Sequence, residues 1–219
     1  MNIKTEIEIV TGFLSSGKTT FINALLENSL ISEEVVIIIQ GEIGNTEIKK
    51  IDKPKSKLIV RQVDMSKNLT AAFLKQMIDF YKPHRIIIEY NGTKLLQEIL
   101  IIFNDKSLVE TCREPIIYNL LEAATFFIFY NNMKELIEPF IINSNLIVIN
   151  NCTNISIKEK NSILKKIKEL NPRAIILTNE NLRELEKVLK KAEIIDRGLV
   201  KKVFIKIKNR QTNKAVRSR

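Results

Sequence analysis

One octapeptide constrains this chain more than any other stretch. Gly12-Phe13-Leu14-Ser15-Ser16-Gly17-Lys18-Thr19, followed by Thr20, fits G-x-x-x-x-G-K-[ST] without a mismatch. The flanks agree with it. Ile3, Ile7, Ile9 and Val10 upstream read as a buried strand, with Lys4, Glu6 and Glu8 alternating. Phe21, Ile22, Leu25 and Leu26 downstream recur at helical spacing, so the loop joins a strand to a helix. Successive backbone N–H groups in such a loop curl around phosphate oxygens, and the helix N-terminus adds its positive dipole end. Gly12 and Gly17 permit backbone angles that a Cβ forbids. The expected phosphate-binding set is therefore Gly12, Ser15, Ser16, Gly17, Lys18, Thr19 and Thr20. Lys18 is placed to reach the β and γ phosphates, and the Thr19 hydroxyl to ligate Mg²⁺.

The 219 residues suit one large domain or a domain with an appendage, and a 45% hydrophobic content supports a substantial core. No run of about 18 apolar residues occurs, so no membrane partner is expected. A strand begins at once, without a secretion-type leader. The two cysteines, Cys112 and Cys152, lack metal-type spacing and read as free thiols of a cytoplasmic protein. Net charge is +10 but uneven: residues 190–219 hold eleven Lys or Arg against Glu193 and Asp196, a balance of +9 that leaves about +1 for everything before them.

Apolar runs then alternate with helical stripes. Val35–Ile39, Leu58–Val60, Ile86–Ile88, Phe126–Tyr130, Leu146–Ile149 and Ala174–Leu177 read as strands. Helices are expected over Ala71–Tyr81, around Leu95–Phe103, from Pro139 onward, through Ile163–Leu170 and over Leu182–Leu189. The pattern predicts an α/β fold with a mostly parallel sheet flanked by helices on both faces. The expected domain covers residues 1–192. Alternation of Val203, Ile205 and Ile207 with lysines predicts a basic edge strand or extension over 193–208, and 209–219 reads as a disordered basic tail. Without interleaved aromatics, the basic end does not predict nucleic-acid binding. Five of the six glycines, Gly12, Gly17, Gly41, Gly44 and Gly92, fall in the octapeptide or just after a buried strand, where open α/β sheets bind ligands.

These features together resemble the CobW-like GTPases, relatives of the urease and hydrogenase nickel-insertion GTPases. The family's loop reads close to G-F-L-G-A-G-K-T-T. Its N-E-F-G segment corresponds to Gly41-Glu42-Ile43-Gly44, and its E-x-x-G to Glu89-Tyr90-Asn91-Gly92. Asn171-Pro172 and the run after it also match, so the likeness spans roughly residues 3–190. The resemblance implies a P-loop NTPase fold, a purine nucleotide (GTP in the family) and Mg²⁺. It places Glu42 in a first switch segment, with Lys18 as the catalytic pair, and Glu89 in a second switch near Mg²⁺ or the γ-phosphate. Glu89 also directly ends a buried strand, a position that favours function. His84, beside Pro83, reads as a packing or surface residue.

Three departures stand out. The guanine motif N-K-x-D appears as Asn150-Asn151-Cys152-Thr153, so only Asn150 remains, either to fix the loop or to touch the purine. The C-x-C-C metal motif is missing near Val63–Lys67. The family's C-terminal domain does not fit into the short basic end. The resemblance thus implies a slow NTPase that acts as an assembly or metal/cofactor-insertion factor for a client protein, working with a separate partner chain. The alternative is a non-hydrolysing nucleotide-binding partner subunit with degenerate base specificity. A kinase is a third reading, but no arginine-bearing lid surrounds Arg113.

Overall fold

The computed structural model describes residues 4–41, 46–65 and 69–191, together with Ile205, Lys208 and Asn209. Strands β1 (Glu6–Gly12), β2 (Val35–Gln40), β3 (Lys57–Gln62), β4 (Arg85–Asn91), β5 (Ile116–Glu122), β6 (Leu146–Asn150) and β7 (Ile175–Thr178) pair in parallel, in the order β3-β2-β4-β1-β5-β6-β7. β2 is nearly all Ile and Val, and β4 carries the run Ile86–Ile88, because both faces of the sheet are covered. Ile7, Ile9, Ile37, Ile39, Ile86 and Ile88 point to one face, while Val10, Val36, Ile38 and Ile87 point to the other.

Helices α1 (Lys18–Ser29) and α8 (Leu185–Lys191) cover the second face through Phe21, Leu25, Leu185 and Leu189. The first face is shared. α2 (Ala71–Tyr81), α3 (Leu96–Phe103) and α4 (Lys106–Thr111) pack over β1, β2 and β4. α5 (Phe126–Asn132), α6 (Lys134–Asn143) and α7 (Ile157–Leu170) close the side over β6.

Two expectations are corrected. Phe126–Tyr130 is helix α5, not a strand; the strand at that place in the series is β5, Ile116–Glu122. Five consecutive apolar residues suit a buried strand or a helix equally. Here Phe126 and Tyr130, four apart, are the buried pair, and Ile128 is exposed. Pro139 lies inside α6 and does not open it. Within the segment read as an edge strand, Ile205 and Lys208 are described, and both have helical backbone and are buried. The rest of that segment and residues 210–219 lie outside the described residues. Among the described residues no helix is long and apolar enough to cross a membrane.

Beneath α1, Arg85 is buried with its guanidinium 3.2 Å from Glu8 and 3.3 Å from Glu34, and it also donates to the Ser29 hydroxyl at 2.9 Å. Tyr118 donates to the other Glu8 oxygen at 3.1 Å, so the charge is enclosed by partners.

Candidate functional site

β1 delivers the chain into the Gly12–Thr19 loop at the carboxyl edge of the sheet, and α1 begins at Lys18. Gly17 adopts φ 91°, a left-handed angle, and a Cβ there would lie 2.3 Å from Leu182 Cδ2. Only glycine meets both requirements. Ser15 is also left-handed, at φ 63°. The Lys18 ammonium is buried and donates to the Gly12 and Phe13 carbonyls, both at 3.0 Å. The α1 N-terminus has no side-chain cap and no acidic residue in its first turn, which leaves its positive end open to an anion. The Ser16 hydroxyl is buried without a hydrogen-bond partner. A phosphate oxygen fits that orphan and the loop's N–H groups.

β4 lies beside β1 and ends in Glu89-Tyr90-Asn91. The buried Glu89 carboxylate accepts from the Thr19 hydroxyl at Oε1 and from the Gln40 amide at Oε2, each at 2.7 Å. An oxygen set of hydroxyl and carboxylate suits Mg²⁺. Gly92 N–H donates to the Gly12 carbonyl at 3.1 Å, and a Cβ on Gly92 would lie 2.8 Å from the Gly12 carbonyl carbon. The strand-end segment and the loop therefore touch backbone to backbone.

β6 brings Asn150, fully buried, under the same loop. Its amide donates to the Ser16 carbonyl at 2.7 Å, and its oxygen accepts from Asn179 at 3.1 Å. Asn151, left-handed at φ 57°, donates to Glu122 at 2.7 Å. The Thr153 hydroxyl donates to the Glu180 carbonyl at 3.0 Å. Phe13 stacks on Phe129 with ring centres 4.5 Å apart. A cavity of about 350 Å³ opens between this stack, Glu122 and Asn151. A larger one, about 710 Å³, lies at the opposite end of the sheet beside Lys4, Cys112 and Arg113, away from the phosphate loop.

Of the residues expected from sequence, Gly12, Ser15, Ser16, Gly17, Lys18, Thr19, Glu89 and Asn150 converge, and Thr20 follows in α1. Glu42 lies outside the described residues. His84 sits at the other end of the sheet, accepting the Val35 N–H at Nδ1. Burial, reinforced by Lys208, lowers its pKa to about 4. Cys152 is buried behind the Asn150 loop, and burial raises its thiol pKa. Among the described residues no group of three or more His, Cys, Asp or Glu is placed to hold a metal. Sequence reasoning missed Gln40, Asn179 and Glu122. The signal at Gln40 was an amide ending a strand otherwise made of Val and Ile.

Solved structures share this architecture. The zinc-bound YjiA GTPase from E. coli superposes with a TM-score of 0.58 at 17% identity, covering 81% of this chain. The chain spans 58% of that protein's length. The hydrogenase maturation factor HypB from Archaeoglobus fulgidus gives 0.50 at 16% identity, covering 86% of this chain and 90% of its own. HypB from Helicobacter pylori, in complex with nickel, gives 0.50 at 12%, covering 86% and 85%. At these identities the likeness shows the fold. No curated protein matches the sequence significantly. Residues 6–178 match the profile of the CobW/HypB/UreG nucleotide-binding domain. With that match covering most of its length, the chain belongs to the CobW/HypB/UreG family.

Proposed function

We propose that the chain binds a purine triphosphate, GTP by family, with Mg²⁺, and is a slow NTPase serving as an assembly or metal/cofactor-insertion factor for a client protein. The observation that carries the nucleotide and cation reading is the Thr19–Glu89 hydrogen bond of 2.7 Å at the uncapped start of α1. It joins a cation-ligating hydroxyl to a strand-end carboxylate beside the phosphate cradle. Mg²⁺, when bound, supplies charge neutralisation on the phosphates. The protein's part is positioning. Loop N–H groups hold the phosphates, and Lys18 exchanges its two carbonyl partners for phosphate oxygens. Thr19 and Glu89 would hold the cation. Glu42 is proposed to act from the first switch segment.

The client role is supported by family membership and by two neighbours whose structures contain Zn(II) and nickel. Because no thiolate or imidazole cluster occurs among the described residues, the transported metal is proposed to reside on another chain. Calorimetry with GTP, with and without Mg²⁺, tests binding. Single-turnover hydrolysis with and without candidate clients tests the activity. Absence of GTP binding at millimolar nucleotide overturns the proposal, while binding without hydrolysis moves it to the non-hydrolysing alternative.

A further inference from the structure

We propose that Gln40 is a positioning residue of the cation site, acting through Glu89; this rests on the nucleotide and Mg²⁺ reading above. Gln40 is the last residue of β2 and stands directly opposite Glu89 in the β2–β4 register. Both side chains are buried, at 8% and 6% exposure, so neither can exchange its partner for bulk water at little cost. The two carboxylate oxygens have different tasks: Oε2 takes the Gln40 amide and Oε1 takes the Thr19 hydroxyl, each at 2.7 Å.

A threonine hydroxyl has one proton and two lone pairs. With its proton committed to Glu89, what Thr19 offers a cation is lone pairs alone, the form a metal ligand needs. That commitment holds only while Glu89 keeps the orientation shown here. A carboxylate held at one oxygen pivots about its terminal torsion, which is broad and soft. The Gln40 amide removes that freedom. Hydrogen-bonding partners behind a ligand typically carry about 10- to 100-fold in metal affinity. Gln40 also immediately precedes Gly41, whose missing side chain leaves room for Met65; a Cβ there would lie 2.3 Å from Met65 Cγ. The amide thus links the cation site to the chain that continues into the proposed first switch.

The test is a set of Gln40→Leu, Gln40→Met and Thr19→Ala variants, with Thr19→Ala/Gln40→Leu as the double variant. GTP affinity is measured in excess EDTA and across a Mg²⁺ titration, and melting without nucleotide reports folding. Gln40→Leu is expected to raise the Mg²⁺ concentration for half-maximal tightening of GTP binding by about tenfold, with the EDTA affinity unchanged within about twofold. The double variant should lose less than the sum of the two single losses, because both substitutions act on one Thr19–Glu89 pair. If Gln40→Leu melts early, Gln40→Met, unbranched and of similar length, carries the same expectation. An unchanged Mg²⁺ requirement, an equal loss in EDTA, or additive effects in the double variant overturns the proposal. Wild-type protein that binds GTP identically with and without Mg²⁺ instead overturns the cation reading beneath it.

Discussion

The Asn150 side-chain amide donates to the Ser16 carbonyl at 2.7 Å across 134 residues of sequence, in a fully buried setting. It ties the end of β6 to the Gly12–Thr19 loop, and Asn179 completes the link. Asn150→Ala leaves the Ser16 carbonyl and the Asn179 amide without these partners. Stability should fall by about 1–3 kcal/mol, and nucleotide affinity by at least about tenfold as the loop loosens. Asn150→Asp keeps the size and the acceptor but loses the donor to Ser16, so it should behave similarly. Melting and calorimetry on both variants check this.

Lys18→Ala should lower nucleotide affinity by about 100-fold or more, since it removes the charged partner of the phosphates. The bonds of Lys18 to Gly12 and Phe13 also disappear, so the ligand-free protein should melt slightly earlier as well. Unchanged affinity by calorimetry would contradict the phosphate-loop assignment.

Purine selectivity should be weak. An N-K-x-D aspartate accepts from the guanine ring N–H and amino group, donors that adenine lacks. Thr153 stands in its place with a neutral hydroxyl already donating to Glu180, and Asn151 turns to Glu122. GTP and ATP are expected to bind within about tenfold of each other, because neither gains a charged partner. Thr153→Asp with Asn151→Lys should raise the GTP preference. A wild-type preference above about 100-fold in direct competition would place base reading in another loop.

Much of this is legible in the sequence. The β2 run Val35–Ile39 and the β4 run Ile86–Ile88 announce covered parallel strands, and the octapeptide fixes one end of the site. β5 was not legible because Tyr118 and Asn119 interrupt its apolar run. Tyr118 is satisfied by Glu8 on β1, a partner that local sequence cannot display. Gln40 escaped for the same reason. Its role is set by register with Glu89, 49 residues away.

Acid should destabilise the protein through His84. Its Nδ1 accepts the Val35 N–H at 3.0 Å and must be unprotonated to do so. Burial, then Lys208, lowers the folded pKa from 6.5 to about 4, against opposing influences from Glu34, Ile205 and Asn209. Between those values the unfolded chain binds the extra proton, so this contribution is complete above pH 6.5 and is lost as pH falls to 4. The loss is at most about 3 kcal/mol. Denaturant melts of wild type and His84→Gln from pH 7 to 4 should show a shallower slope in the variant; equal slopes would remove His84 as the cause.

The basic end should matter to stability. Ile205 is buried at 4% exposure, and the Lys208 ammonium donates to the Thr5 hydroxyl at 3.1 Å and the Pro83 carbonyl at 2.5 Å. Ending the chain at residue 204 removes both, which should lower the melting temperature by about 5–10 °C. Ending it after Asn209 keeps both and should melt within about 2 °C of wild type. Equal melting of the two truncations would show that neither contact stabilises the fold.

The Phe13–Phe129 stack, with rings 5° from parallel, clasps the phosphate loop to α5 in a chain that contains no tryptophan. Phe129→Trp would give the molecule a solitary indole resting against the loop that closes around phosphate. Its emission would be free of background from other indoles. Nucleotide arrival at that loop would become visible as light, in real time and without a label.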